Sequence, residues 1–336
     1  MRLSICIPTY NRADCIADLL DSIIAQDGYE CELEIVISDN ASTDDTRAVV
    51  ERYRERLGRL VYHRAPENMG ADRNFLKVVE LASGTFCWLM GDDDILEQDA
   101  VAKISRALSE HPNIAGLTVN RYAYTVDLQE RLVERPVLGG ALPQSTMLTG
   151  AERTFGTLGE YFGFISGQVV SRNLWQEVVA QHDLTEYLNA YIHVYIIGRM
   201  LQKCPSWYFL HEKCVGWRSG NDSFMSEGLY KRIMIDVMGF EKISRDLFGK
   251  NSFAYHRLNR TVGSVHVKYA IAGAKTGRLP ASFFWKITPV LMKRYWRYTS
   301  FWTKTVPVLA VPAHAIIGAR WVYRRTLKPL RQRHVR

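Results

Sequence analysis

The chain has 336 residues, 47% hydrophobic and 23% charged, a balance that excludes a disordered polymer and allows one large domain or two ordinary ones with an ample core. Its net charge of +8 conceals an asymmetry: Leu247 to Arg336 holds seven lysines, eleven arginines and no acid, so that stretch carries +18 and the first 246 residues carry −10. The six cysteines include no C-x-x-C pair, which excludes a zinc ribbon or disulfide frame and fits reduced thiols in the cytoplasm, and Met1-Arg2 runs straight into "LSICIP", too short for a signal peptide.

In chain order, "LSICIP" (3–8) is apolar and β-branched and predicts a strand; Ile16, Leu19, Leu20, Ile23 and Ile24 then recur at helical spacing. "LEIVIS" (33–38) predicts a second strand, followed by a helix from Asp44-Asp45 through Val49, Val50 and Tyr53. "RLVYHR" (59–64) predicts a third strand, "ADRNFLKVVELAS" (71–83) a third helix and "TFCWLM" (85–90) a fourth strand. Continuous apolar strands between amphipathic helices place the chain in the α/β class, with a mostly parallel sheet covered on both faces.

In such sheets, ligands bind beyond the carboxyl ends of the strands. The loops there are "PTYNR" (8–12), "SDNAST" (38–43), "PENMGADRN" (66–74) and "GDDD" (91–94), rich in Asp, Asn and Arg. The first has no glycine, which excludes the G-x-G-x-x-G cradle of a dinucleotide-binding dehydrogenase. Asp92, Asp93 and Asp94 are adjacent like charges at the rim of a buried strand, each raising its neighbours' pKa. They read either as an acidic tip capping the next helix or as ligands for a divalent cation.

Taken together, "SICIPTYNR", "IVISDNASTDDT", "ENMG" and "WLMGDDDIL" resemble family 2 glycosyltransferases, which have the GT-A nucleotide-sugar-binding fold; "N-x-G-x-x-x-N" at 68–74 with "GDDD" looks like the bacterial abequosyltransferase-like subgroup of surface-polysaccharide synthesis. The resemblance covers residues 1–120 closely and continues loosely to about 225. It implies that Pro8, Thr9 and Tyr10 line a nucleobase pocket, that Asp39 accepts a hydrogen bond from the base with Asn40 close by, and that Arg73 and Asn74 meet the diphosphate or sugar. Solvated helix-surface polarity is the plainer reading of those last two. The acidic triplet becomes the site of a Mg2+ or Mn2+ ion that neutralises the departing diphosphate. The commoner family pattern D-x-D-D places Gly91 at its first position, so Asp93 aligns as the principal ligand, with Asp92 and Asp94 contacting metal, ribose or sugar.

Many relatives invert the anomeric centre with a carboxylate base from an "E-D" pair about one hundred residues later. The corresponding stretch, "HDLTEYLNAYIHVYIIGRM" (182–200), has none. Asp183, Glu186 and His193 are its candidates, against the alternatives of helix-start acids and a core histidine. "GFISGQVVSRNLW" (163–175) looks like the family's strand and helix along the acceptor pocket, with Ser166 and Gly167 near the donor sugar. "VGWRSGNDS" (215–223) puts Arg218 in a glycine-containing polar loop, where it could close over the diphosphate.

The last ninety residues set Trp285, Trp296, Trp302 and Trp321 among Lys and Arg, and their apolar run "VPVLAVPAHAIIGA" (306–319) is too short and proline-broken to span a bilayer. This predicts helices lying on an anionic membrane surface, with an ordinary helical domain packed on the catalytic one as the alternative, and not a nucleic-acid-binding module. The expected organisation is therefore a donor-binding half (1–120), an acceptor-binding half (121–246) and a basic helical membrane-associating region (247–336). The expected activity is metal-dependent, inverting transfer of a sugar from a nucleoside-diphosphate donor to a lipid-linked glycan, by a cytoplasmic enzyme peripheral to the inner face of the membrane. The alternative is a non-catalytic sugar-nucleotide-binding or scaffolding protein.

Overall fold

The computed structural model describes residues 1–133, 142–222, 224–225 and 228–322. The chain forms two compact units, Met1–Asp222 with Arg245–Ala254, and Ser223–Ser244 with Tyr255–Arg336.

In the first unit, β1 (Arg2–Thr9), α1 (Ile16–Ile24), β2 (Glu32–Asp39), α2 (Thr46–Tyr53), β3 (Leu60–Arg64), α3 (Ala71–Leu81) and β4 (Phe86–Leu89) alternate as the apolar spacing predicts. β1 is flanked by two parallel neighbours, with Ile5 level with Ile35 on β2 and Trp88 on β4. That is why its apolar run is continuous instead of alternating. Leu3, Ile5 and Ile7 pack in one core with Ile16, Leu19, Leu20 and Ile23 of α1, each such burial contributing roughly 1.5–3 kcal/mol.

The unit continues through β5 (Ile95–Leu96), α4 (Ala100–Glu110), β6 (Gly116–Tyr124), β7 (Arg131–Val133), β8 (Thr146–Thr149), α5 (Ala151–Phe162), β9 (Gln168–Ser171), α6 (Arg172–Gln181), α7 (Ile192–Lys203) and β10 (Ser206–Arg218). Among the described residues the strands form one sheet in the order β3-β2-β1-β4-β9-β6-β10-β5, with β7 beside β6 and β8 beside β10. The first four strands are parallel, as expected. β9 then pairs antiparallel with both β4 and β6, making the sheet mixed at its centre. Because β10 is parallel to β6, the strands β1, β2, β3, β4, β6 and β10 all point the same way, and their carboxyl ends share one edge. Residues as far apart in sequence as Thr9, Asp39, Leu89, Tyr124 and Arg218 end there. All six cysteines are free thiols.

The second unit is helical among its described residues: most of α8 (Leu229–Phe248), most of α9 (Phe253–Thr261), α10 (Val267–Thr276), α11 (Ala281–Tyr295), α12 (Thr299–Lys304), α13 (Val306–Ala310) and α14 (Ala313–Val322). A π-helical turn at Val262–His266 joins α9 to α10. Gly263 is required there, because a Cβ would lie 2.7 Å from the Tyr295 ring. Ile287, Leu291 and Tyr295 of α11 are buried, whereas Trp285 is 80% exposed and Trp296 60%. Exposed Lys286, Lys293 and Arg297 flank those indoles. Trp302, also exposed, donates from Nε1 to the Trp296 carbonyl at 2.7 Å. No described helix is long and apolar enough to cross a membrane. Residues 323–336 of the basic stretch lie outside the described residues, as does the side chain of Trp321.

Candidate active site

The loops after β1 and β2 are laced together by short polar side chains. Asn11 and Ala41 both adopt left-handed backbone (φ 52° and 63°), a conformation that costs a non-glycine residue energy and persists where surroundings impose it. The restraint is visible: Asn11 N donates to Ser42 Oγ at 2.9 Å, Thr43 N to Asn11 Oδ1 at 2.7 Å, and Arg12 N to Thr46 Oγ1 at 3.0 Å. Asp39, with 0% exposure, closes β2. Its carboxylate accepts from Ser42 N at 2.7 Å and from the Tyr62 hydroxyl at 2.6 Å, with Arg64 Nε 3.9 Å away. Asn40 N donates to the Thr9 carbonyl, and its side-chain amide pairs with Asn68 and Met69 N. Pro8 and Thr9 are buried at this edge, and Tyr10 is exposed.

The turn after β4 carries the three aspartates, each with a different companion. Asp92 is buried, with Arg12 Nε 3.5 Å from its Oδ1. Asp93, partly exposed, accepts from Asn221 Nδ2 at 3.0 Å. Asp94, buried, accepts from the Ser166 hydroxyl and from Arg218 N at 3.0 Å. Burial, and then the charge of Asp93, push both Asp92 and Asp94 up to about 7, and burial also raises Asp93. Three carboxylates are thus desolvated together with too little positive charge beside them. A Cβ on Gly91 would lie 3.1 Å from Ser166 Oγ and 3.4 Å from Asp94 Oδ2, so the D-x-D-D aspartate has no ready place here: its side chain would displace the hydroxyl that Asp94 uses.

Among the described residues no three His, Cys, Asp or Glu side chains gather to enclose an ion. The donor set still fits Mg2+ or Mn2+ in one mode, since Mg2+ is commonly bound through one or two carboxylates completed by substrate phosphates. Asp93 suits that mode, being partly exposed, beside two other acids, and held by a neutral amide.

Arg218 does not lie in a loop. It is the last residue of β10, buried, with every part of its fork engaged: Nε donates to Asp93 O at 2.7 Å, NH1 to Val126 O at 2.6 Å and NH2 to Asp18 Oδ2 at 2.6 Å. It ties α1, the acidic turn and the loop after β6 into one body. Arg73 is exposed on α3. Asn74 is buried and donates to the carbonyls of Ser38 (2.9 Å) and Thr9 (3.4 Å), bracing β2 against β1. Asp72, between Gly70 and these residues, accepts from Ala190 N and Ile192 N and so caps α7.

His193 sits in the first turn of α7, buried, with Phe75 at 5.7 Å edge-on. Burial pushes its imidazole down to about 4, against the pull of the Phe162 and Gly163 carbonyls. Asp183 and Glu186 are exposed, and Asp183 accepts from Thr185 N at 2.9 Å.

The sequence reading passed over Arg12, Asp18, Tyr62, Arg121 and Asn221. Arg12 stands in the quoted "PTYNR" and was legible; Asn221 is recognisable only once β10 brings it to the edge. Arg121 is a lone cation in the strand "GLTVNRYAY", and its Cζ lies 3.8 Å from the Phe164 ring centroid and 5.0 Å from that of Trp217.

Comparison with known proteins bears on this edge. The family model described as glycosyl transferase family 2 matches residues 4–168. Abequosyltransferase RfbV of Salmonella typhimurium is 31% identical over 266 residues, 75% of this chain and 77% of that protein. Among solved structures, Staphylococcus aureus TarS 1–349 in complex with UDP-GlcNAc superposes with a TM-score of 0.58 at 18% identity, covering 83% of this chain and 76% of that one. The mannosyltransferase PcManGT from Pyrobaculum calidifontis, in complex with GDP-Man and Mn2+, gives 0.54 at 18% identity, covering 96% and 87%.

Proposed function

Because the chain belongs to glycosyl transferase family 2, we propose that this glycosyltransferase moves a sugar from a nucleoside-diphosphate donor to a hydroxyl of a lipid-linked glycan in bacterial surface-polysaccharide synthesis. The observation that carries the donor site is the desolvated Asp92–Asp94 turn at the edge where six strands end. The Mn2+ and GDP-Man in the mannosyltransferase complex and the UDP-GlcNAc in the TarS complex support a metal and a sugar nucleotide as ligands of this fold.

Asp93 would hold Mg2+ or Mn2+, with Asp92 and Asp94 beside it; the ion would draw off the negative charge that accumulates on the departing diphosphate. Pro8, Thr9 and Tyr10 would flank the nucleobase, with Asp39 and Asn40 at its polar edge. Arg73, exposed at the start of α3, is free to reach the diphosphate or sugar, whereas Asn74 works from behind by bracing the strands. Arg218 acts by fixing the Asp93 carbonyl through its side chain and the Asp94 carboxylate through its backbone N–H. Transfer would invert the anomeric carbon, with the proton of the acceptor hydroxyl passing to a base in the 182–193 stretch. His193 offers an uncharged ring nitrogen there, although burial lowers its pKa to about 4, and Asp183 and Glu186 offer exposed carboxylates. The +18 stretch and the exposed indoles of the second unit support peripheral attachment to the inner face of the cell membrane.

Purified protein given UDP-, dTDP-, CDP- and GDP-sugars with Mn2+ and membrane extract tests the reading. Asp93→Ala should abolish transfer with its circular dichroism unchanged, and wild-type turnover that persists in excess chelator would remove the metal from the mechanism.

A further inference from the structure

Among the described residues, the guanidinium of Arg121 is a cation beside the acidic turn with no hydrogen-bonded partner. Arg12 faces Asp92, and Arg218 spends its nitrogens on Asp18, Asp93 and Val126. Arg121 Cζ lies over the rings of Phe164 and Trp217, and among the described residues its side-chain nitrogens make no hydrogen bond or ion pair; Nε in particular is buried and unpartnered. Asp94 is its charged neighbour, but that carboxylate already accepts from Ser166 and Arg218 N. A desolvated cation without partners weakens a fold. Lying over ring faces, however, leaves the in-plane N–H fork free, which is the geometry that meets a phosphate or carboxylate bidentately.

Its place in the sheet narrows the occupant. Asp39 and Thr9 close β2 and β1, on one side of the acidic turn after β4, and Arg121 stands on β6, beyond β9 on the other side. We propose that Arg121 is an oxyanion receptor of the active site, a guanidinium held open over the rings of Phe164 and Trp217 for a phosphate or carboxylate group of the substrates. The two sources are the diphosphate of the donor and an acidic sugar of the acceptor. This rests on the transferase reading only for the source of the anion.

The test uses the full chain, Arg121→Met, which retains width against the rings without charge, and Arg121→Lys, which retains charge without the fork. Melting temperatures are measured alone, with inorganic pyrophosphate and Mg2+, and with sodium glucuronate. Arg121→Met should melt close to wild type, since it keeps the packing against the rings while losing an incompletely paired charge, and the dissociation constant of a bound probe should rise about tenfold to a hundredfold, with Arg121→Lys between. Weakened pyrophosphate binding assigns the anion to the donor, weakened glucuronate binding to the acceptor, and weakening of both to a shared subsite; each supports the proposal. A lowered melting temperature of Arg121→Met would show a strut and overturn it, as would unchanged affinity for both probes or no binding of either to wild type. No readout involves sugar transfer, so failure here stays separate from failure of the transferase reading, which would show as absent wild-type turnover.

Discussion

His193 shows how one buried side chain governs both stability and chemistry. Its folded pKa of about 4 lies below the ordinary 6.5, so between those values the unfolded chain binds the proton more readily. Stability from this group is therefore fully present above pH 6.5 and is lost as pH falls towards 4, by about 3 kcal/mol over the window. His193→Phe should flatten the acid limb of a urea-denaturation pH profile between pH 6.5 and 4; an unchanged slope would mean that the ring is hydrated or paired. If the same ring takes the acceptor proton, the variant will fold and lose about 10²–10⁴-fold in kcat, whereas Asp183→Asn and Glu186→Gln will keep most activity.

Among the elements, α11 separates its two faces sharply. Ile287, Leu291 and Tyr295 turn inward, while Trp285 and Trp296, eleven residues apart, fall within about 20° of each other around the helix and about 16 Å apart along it. Indoles favour the headgroup level of a bilayer, and lysine and arginine stems snorkel beside them. A helix lying in the surface plane puts both indoles at one depth. On anionic vesicles carrying brominated lipids, replacing each by Phe in turn should remove fluorescence quenched by the same bromine position; depths differing by a helix length would mean an upright helix. The legibility of elements followed their neighbours. β1, β2 and β4 announced themselves because burial on both faces demands unbroken apolar runs, whereas β3, the partly buried edge strand, was read from the shorter run "LVYHR". β9 was expected within "GFISGQVVSRNLW" from the resemblance, but its direction hid, because its antiparallel pairing depends on β4 and β6, not on its own residues. Arg218 was misplaced for the same reason: "WRSGND" carries turn residues, but pairing with β6 extends β10 through Arg218. The acidic turn was readable as chemistry, whereas the identity of each aspartate's companion, Arg12, Asn221 or Ser166, exists only after folding.

At the scale of the whole molecule, the charge is divided along the chain, −10 before Leu247 and +18 from there on. Each base close to an anionic surface adds about 1 kcal/mol, within a screening length of about 10 Å at 0.1 M salt. Binding to anionic vesicles should therefore weaken more than tenfold when salt is raised to about 0.5 M, while the affinity for a nucleoside diphosphate, gripped in a desolvated turn, should change far less; parallel losses would place both on exposed charge.

The fork of Arg218 has a consequence for engineering. Helix α1 of the donor-side half and the acidic turn are both fastened by a residue that arrives some two hundred positions after Asp18. Residues 1–120 and the rest of the first unit are consequently not interchangeable cassettes. A chimera that takes residues 1–120 from a relative would inherit an aspartate turn whose clasp belongs to another gene, and swaps meant to retune sugar choice must carry the far end of β10 along with them.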